Sequence, residues 1–215
     1  MGLRRRVCRT VIAGTLWPEV TEEHARGSLR TALWKLPRTD PALIRRGGGS
    51  LMISPSLGVD VHDLTDTALA VVKGREPPGV RQPLGALTGD DLLPGWDEEW
   101  VLVERERVRQ LRLHALDALA EALTLQGKPA LALEAAWESV RREPLRESAH
   151  RAVVTAHLAE GNLYEALRHY EAFRRLLNEE LGVEPTSRFA GMLARAGALR
   201  TTDSRRERVP LPDWR

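Results

Sequence analysis

The sequence predicts a mainly α-helical chain in two parts: a basic helix-turn-helix followed by a hairpin, then a longer run of paired helices. Three observations carry that expectation. The charge is lopsided, a glycine triplet separates two short apolar runs near the N-terminus, and a pattern of glycine, alanine and leucine returns after 34 residues. At 215 residues, 42% hydrophobic and 29% charged, the chain has the composition of a globular protein with one or two cores.

Residues 1–50 carry ten basic and four acidic side chains, a charge of +6 in a chain that is +2 overall. Such asymmetry points to an N-terminal region that meets a polyanion. The lone cysteine, Cys8, excludes an internal disulfide framework and a cysteine-cluster metal site, suits a reducing cytoplasm, and is expected to be a buried or idle thiol. The apolar run after the basic start is too short for a signal peptide and ends at Trp17, Pro18 and Glu19; Arg6 stands where myristoylation needs Ser or Thr. With no stretch long and apolar enough to span a bilayer, the chain is expected to be soluble and cytoplasmic.

The first helix is expected over residues 4–16 and a turn over 17–20. The second helix, EEHARGSLRTALWKL over 22–36, has Thr21 as N-cap, Glu22 and Glu23 at the positive end of its dipole, and Pro37 as its stop. At about 100° per residue, Ala25, Leu29, Ala32, Leu33 and Leu36 share one face. His24, Gly27, Arg30, Thr31 and Lys35 take the opposite face, with Arg26 and Ser28 on its margins. Trp34 lies on the polar side and is expected to pack against the hairpin or the preceding helix. LIRRGGGSLMI over 43–53 reads as a hairpin, with Arg45 and Arg46 beside the Gly47-Gly48-Gly49 turn. The triplet has neither the P-loop nor the dinucleotide-fingerprint form. Helix, turn, helix and hairpin in this order make a winged helix, whose second helix enters the major groove. The candidate DNA contacts are therefore His24, Arg26, Ser28, Arg30, Thr31 and Lys35, with Arg45 and Arg46 on phosphates.

Further along, Gly127-Lys-Pro-Ala-Leu-Ala-Leu returns as Gly161-Asn-Leu-Tyr-Glu-Ala-Leu, which pairs Ala132 with Ala166 at the 34-residue tetratricopeptide period. Val108, Leu111, Ala115, Leu119 and Ala122 form an apolar stripe before the first glycine, and Leu163, Ala166, Leu167, Tyr170, Phe173 and Leu177 form another after the second. Pro144 closes the first copy; the second has Asn178 there and delays its proline to Pro185. Helices over 63–73, 96–126 and 186–200 are expected to supply the remaining layers, and a Pro/Gly-rich connection spans 74–95. The six histidines show no metal-ligand spacing, no nucleophile and base can be paired, and Glu98 with Glu99 reads as the first turn of a helix. Neither catalysis, nor a cofactor, nor a metal is expected.

The stretches WPEVTEEHARGSLRTALWKL, LIRRGGGSLMI and VDVHDL resemble the winged helix of bacterial transcriptional regulators of the antibiotic regulatory protein (SARP) type. LLPGWDEEWVLVERERVRQLRLHALDALAEAL through ELGVEPTSRF resembles their bacterial transcriptional activation domain, built of tetratricopeptide-like (TPR-like) helices. The likeness runs from residue 10 to about residue 200. It implies a recognition helix over 22–36, a wing over 43–53, and an activator that binds double-stranded promoter DNA at the nucleoid. It also implies a helical domain that dimerises and contacts RNA polymerase or a sigma factor, with no membrane partner. The domains expected are a partial winged helix over 1–60, the activation domain over 61–200 and a disordered tail over 201–215. In the family, several short strands and a helix precede the segment that begins here at Met1. The winged helix is thus expected to be N-terminally incomplete, with Val7, Val11, Ile12, Leu16, Leu29 and Leu33 only partly covered. The alternative is a TPR-like protein-binding adaptor that does not bind DNA because its winged helix is truncated.

Overall fold

The computed structural model describes residues 6–36, 43–75 and 83–203. Arg4 and Arg5, Pro37, the middle of the 74–95 connection and the tail beyond residue 203 lie outside the described residues. The chain divides into two compact units, Met1–Leu64 with Leu92–Glu106, and Thr65–Asp91 with Arg107–Arg215.

In the first unit a short strand β1 (Val7–Cys8) leads into α1 (Arg9–Leu16) and α2 (Glu22–Lys35), and a hairpin follows of β2 (Ile44–Gly47) and β3 (Ser50–Ile53). The helix expected to start at residue 4 starts at Arg9, because Val7 and Cys8 extend to pair with Leu51 and Ser50. The result is an antiparallel three-stranded sheet in the order β1-β3-β2. Gly48 and Gly49, at φ 54° and 75°, form the hairpin turn; Gly47 belongs to the strand. Positive φ at both central residues matches the right-handed twist of the strands, and glycine reaches it without a steric penalty. Cys8, at the N-cap of α1, is exposed rather than buried, and the backbone of Thr10 beside it holds its thiol pKa below the ordinary value.

The core of this unit is Ala13, Ala25, Leu29, Leu33 and Leu51, with Ile12, Trp17 and Ile44 packed against it. Leu29 and Leu33, expected to be only partly covered, are 5% and 6% exposed, because α1 and the hairpin close over them. Val11 and Leu16 stay exposed on the outer side of α1. Ala32 and Leu36 also leave the expected apolar face: Leu36 is the C-cap, with ψ of 136°, and no longer follows the helical turn. Leu92–Glu106 belongs to the same unit, where Leu93 has φ of 47°, a left-handed backbone unusual for leucine. Arg105 holds it by donating to the carbonyls of Leu92 at 2.8 Å, Leu93 at 2.5 Å and Trp96 at 2.8 Å.

Helices α3 (Asp60–Val72), α4 (Pro83–Leu87), α5 (Glu99–Leu125), α6 (Pro129–Arg142), α7 (Glu147–Ala159), α8 (Leu163–Leu181) and α9 (Ser187–Asp203) account for the rest. α4 lies inside the stretch read as an irregular connection, and its Leu87 is fully buried. The 34-residue repeat is visible bond by bond. Lys128 N–H donates to Leu123 and Asn162 N–H to His157, both at 2.9 Å, around Gly127 and Gly161 at φ 70° and 80°. This left-handed glycine with a backward bond is a Schellman-type helix end. Ala132 and Ala166 are both fully buried, so a small side chain stands at each equivalent crossing. The copies diverge where the sequence does: α6 stops before Pro144, whereas α8 runs on to Leu181 and ends at left-handed Gly182.

Where α7 meets α8, His150 is buried and stacks on Phe173 with ring centroids 4.0 Å apart. His150 Nε2 lies 2.8 Å from the Pro144 carbonyl and Nδ1 lies 3.0 Å from His169 Nε2. A neutral pair satisfies both contacts, with His150 donating from Nε2 and His169 donating to Nδ1. Burial, then the neighbouring His150, His157 and Arg168, pushes His169 down to about 4 from 6.5, and burial lowers His150 as well. An unfolded chain takes up these protons near pH 6.5 and the folded one only well below it, so stability is unaffected above 6.5 and is lost as pH falls toward 4. Unfolding free energies from urea melts at pH 7 and pH 4.5 should differ by up to about 3 kcal/mol from His169 alone. His169→Gln should flatten that dependence; an unchanged slope would show that the pair does not titrate as described.

Candidate nucleic-acid interface

α2 is the element on which most of the expected DNA contacts fall. Its start is fixed by Thr21, whose hydroxyl accepts from the His24 backbone N–H at 3.5 Å and lies 2.9 Å from His24 Nδ1. The cap thereby orients the His24 ring as well as the helix. Glu22, in the first turn, pairs with Arg26 at 3.7 Å across one turn of helix. Thr31 donates its hydroxyl to the Gly27 carbonyl at 3.1 Å, which leaves the oxygen free to accept.

The two hairpin arginines part company because side chains alternate along a strand. Ile44 and Arg46 face the core side, where Arg46 Nη2 donates to the Leu33 carbonyl at 2.7 Å. A cation on the last turn of α2 meets the negative end of its dipole and a carbonyl without an in-helix donor. Arg45 projects from the other side of β2 and is exposed. The wing tip is tied down too: Ser50 Oγ donates to the Gly47 carbonyl at 2.7 Å, and Arg9 N–H donates to the Gly49 carbonyl at 3.1 Å.

The exposed surface of α2 has two flanks. A shallow groove of about 730 Å³ runs along one, bordered by His24, Gly27, Ser28, Thr31, Ala32 and Lys35. At 100° per residue, Arg26, Arg30 and Trp34 fall on the other flank. The structure thus brings His24, Ser28, Thr31 and Lys35 together, and sets Arg26 and Arg30 apart from them on the same helix. Arg30, Lys35 and Arg45 have no hydrogen-bond or ion-pair partner among the described residues, whereas Arg26 and Arg46 are engaged. Trp34, expected to pack, is 77% exposed, because the buried positions 25, 29 and 33 wind away from it. One residue went unassigned in the sequence: Arg6 stretches over the wing, its Nη1 3.8 Å from where a Cβ on Gly47 would stand. Its place in the N-terminal run of arginines was the available signal. Among the described residues, no cluster of three or more His, Cys, Asp or Glu could hold a metal, and no helix is long and apolar enough to cross a membrane.

A short helix, an exposed polar helix capped at both ends, and a hairpin fastened to it form a winged helix, here in one chain with a TPR-like unit. That combination is the architecture of a winged-helix transcriptional regulator. Residues 60–195 match the bacterial transcriptional activator domain, and the chain belongs to that family, as a regulator of the SARP type. It is 29% identical over 191 residues to the regulatory protein AfsR of Streptomyces coelicolor, covering 82% of this chain and 19% of that protein. The AfsR of Streptomyces griseus is 27% identical over 202 residues, or 87% of this chain and 20% of the relative. The chain therefore spans about a fifth of the length of these curated relatives. Among solved structures, EmbR of Mycobacterium tuberculosis in complex with a low-affinity phosphopeptide superposes with a TM-score of 0.58 at 19% identity, over 91% of this chain and 55% of that one. At that identity the likeness speaks for the fold.

The split between the hairpin arginines can be measured. Arg46→Ala should lower the opening free energy of the α2 amides in hydrogen exchange by about 1–2 kcal/mol, the worth of a charged hydrogen bond. Arg45→Ala should change it by less than about 0.5 kcal/mol, as for an unconstrained surface site. Equal effects would show that Arg46 does not hold the helix.

Proposed function

We propose that this regulator binds double-stranded promoter DNA by laying α2 in the major groove, with the hairpin over an adjacent phosphate backbone. The observation that carries the proposal is the set of uncommitted cations, Arg30, Lys35 and Arg45, on exposed surface of one helix and its wing. A helix about 10–12 Å across fits a major groove about 12 Å wide. The groove flank, with Ser28, Thr31 and His24, supplies donors and acceptors for base edges. Arg26 and Arg30 on the opposite flank, and Arg45 and Arg46 on the wing, suit phosphate oxygens. The N-terminal excess of positive charge supports the same reading by favouring encounter with a polyanion.

Gly27 adds to it. A glycine in the middle of a helix costs roughly 0.5–1 kcal/mol relative to alanine, yet a Cβ built on Gly27 meets nothing within 4 Å. Nothing in the protein requires its absence; a partner approaching the α2 backbone does. The TPR-like unit would serve RNA polymerase or a sigma factor and a second copy of the chain, as its family membership suggests, and the protein would act at the nucleoid.

Binding of a fluorescent duplex from the gene's own upstream region, followed by anisotropy over a range of salt, tests the proposal. Replacing both Arg30 and Lys35 by alanine should weaken binding to every sequence and reduce the salt slope by about one for each phosphate no longer neutralised. Unchanged affinity and slope would remove α2 as the DNA-contacting helix and leave a TPR-like adaptor. Gly27→Ala should raise stability by up to about 1 kcal/mol while weakening DNA binding. If affinity rises together with stability, nothing approaches the helix closely there.

A further inference from the structure

We propose that the groove between α5, α7 and α9 is a docking site for an acidic segment of a partner protein, held as an extended peptide by Arg188 and Arg195. The groove, of about 370 Å³, lies wholly within the helical-repeat unit. Arg188, Met192 and Arg195 border it from α9 at positions i, i+4 and i+7, so that one side of the helix presents two guanidinium groups with a thioether between them. Arg151 of α7 borders it as well, and Ala118 and Ala152 give it small apolar floor positions.

Most of the unit's other arginines are already committed. Arg109, Arg112, Arg141, Arg142, Arg146 and Arg174 each face a carboxylate on the protein. Arg151 is 3.7 Å from Glu147, which is already shared, since Glu147 also accepts from the backbone N–H and hydroxyl of Thr186 at the start of α9. Arg188 and Arg195 are exposed and have no ion-pair or hydrogen-bond partner among the described residues. An exposed arginine needs no partner, but two of them aligned along one concave wall present fixed positive charge to whatever enters.

The geometry selects the occupant. Seven residues along a helix rise about 10.5 Å. A polyproline II segment advances about 3.1 Å per residue and returns to the same face every three residues, so acidic side chains at i and i+3 stand about 9 Å apart and point the same way. Two carboxylates so spaced would meet Arg188 and Arg195. Duplex DNA is disfavoured because Asp117 and Glu121 form the opposite wall. Asp117 is already engaged by Ser139, Arg146 and Ser148, and Glu121 adds the repulsion that keeps a carboxylate on the α9 side.

The test uses the full chain and a fluorescein-labelled, end-capped peptide Gly-Glu-Pro-Leu-Glu-Gly, with its Gln-for-Glu counterpart and a version having one more residue between the glutamates. The Glu peptide is expected to bind at least about tenfold more tightly than either comparison peptide, with affinity falling as salt rises. Arg188→Ala and Arg195→Ala should each weaken it severalfold. Arg175→Ala, at an exposed arginine of α8 away from the groove, should leave it unchanged. Absence of binding by the Glu peptide, equal binding of the Gln peptide, or full affinity in the Arg188→Ala/Arg195→Ala double variant would each overturn the proposal. So would a double variant that loses duplex DNA binding while keeping the peptide, since the arginines would then serve nucleic acid. Both side chains are exposed, and an unchanged circular dichroism spectrum confirms that the variants are folded.

Discussion

A buried guanidinium is costly unless its charge and most of its donors find acceptors, and Arg112, with 2% of its surface exposed and its Nε without a partner, finds acceptors for both terminal nitrogens in one loop. It donates to the carbonyls of Gly89 at 2.9 Å and Asp90 at 2.8 Å, and faces the Asp91 carboxylate at 3.4 Å. Burial lowers its pKa, yet arginine stays charged, so the loop must stay where those acceptors are. Arg142 adds donors to the carbonyls of Thr88 and Gly89 and is itself held by Glu138. Between them they convert a stretch without regular backbone partners into a lid on Leu87, Ala115 and Leu116. Taking away one side of such a buried arrangement typically costs about 3–5 kcal/mol, because the other side is left uncompensated.

The same device recurs at two other places where the backbone leaves a regular element. Arg105 forks onto three carbonyls of the LLPGW turn and thereby holds Leu93 in its left-handed conformation, which costs free energy on its own. Arg46 closes the end of α2 onto the hairpin. Where arginine is not the donor hub, a carboxylate is the acceptor hub: Asp117 collects Ser139, Arg146 and Ser148 from α6, the turn before α7, and α7 itself. A chain this rich in arginine and glutamate therefore divides its charges by task. Those that hold turns are half-buried and aimed at backbone or carboxylate oxygens, and those left over lie exposed along α2, the wing and α9.

Rigidity under α2 follows from that division. The helix has its N-terminus capped by Thr21, its C-terminus fastened by Arg46, and its apolar side sealed by Ala13, Leu51 and Ile44. Its polar side is left to be decided by a partner. Recognition of a duplex needs a surface that does not rearrange, since each ordered side chain adds to the entropic cost of binding. The repeat unit is more sensitive to pH, because the histidine pair between α7 and α8 is buried and resists protonation.

Much of this was legible in the sequence, because it rests on local rules. Hydrophobic period gave α2 and the repeat helices, Thr21 marked a helix start, and the spacing of Gly127 and Gly161 marked two equivalent helix ends that the backbone reproduces bond for bond. Charge bookkeeping singled out the basic N-terminal half of the first unit. What it could not decide depends on partners distant in the chain. Val7 and Cys8 read as helix because local propensity does not include the edge of β3, whose Leu51 and Ser50 lie far along the chain. Leu29 and Leu33 were expected to be only partly covered because their cover comes from α1 and the hairpin together. Arg45 and Arg46 are indistinguishable as neighbours in sequence; the pleat of one strand aims the first outward and the second at a helix end. The roles of the arginines were likewise invisible, since a guanidinium on a long flexible stem is committed or free according to which oxygens tertiary packing brings within its reach.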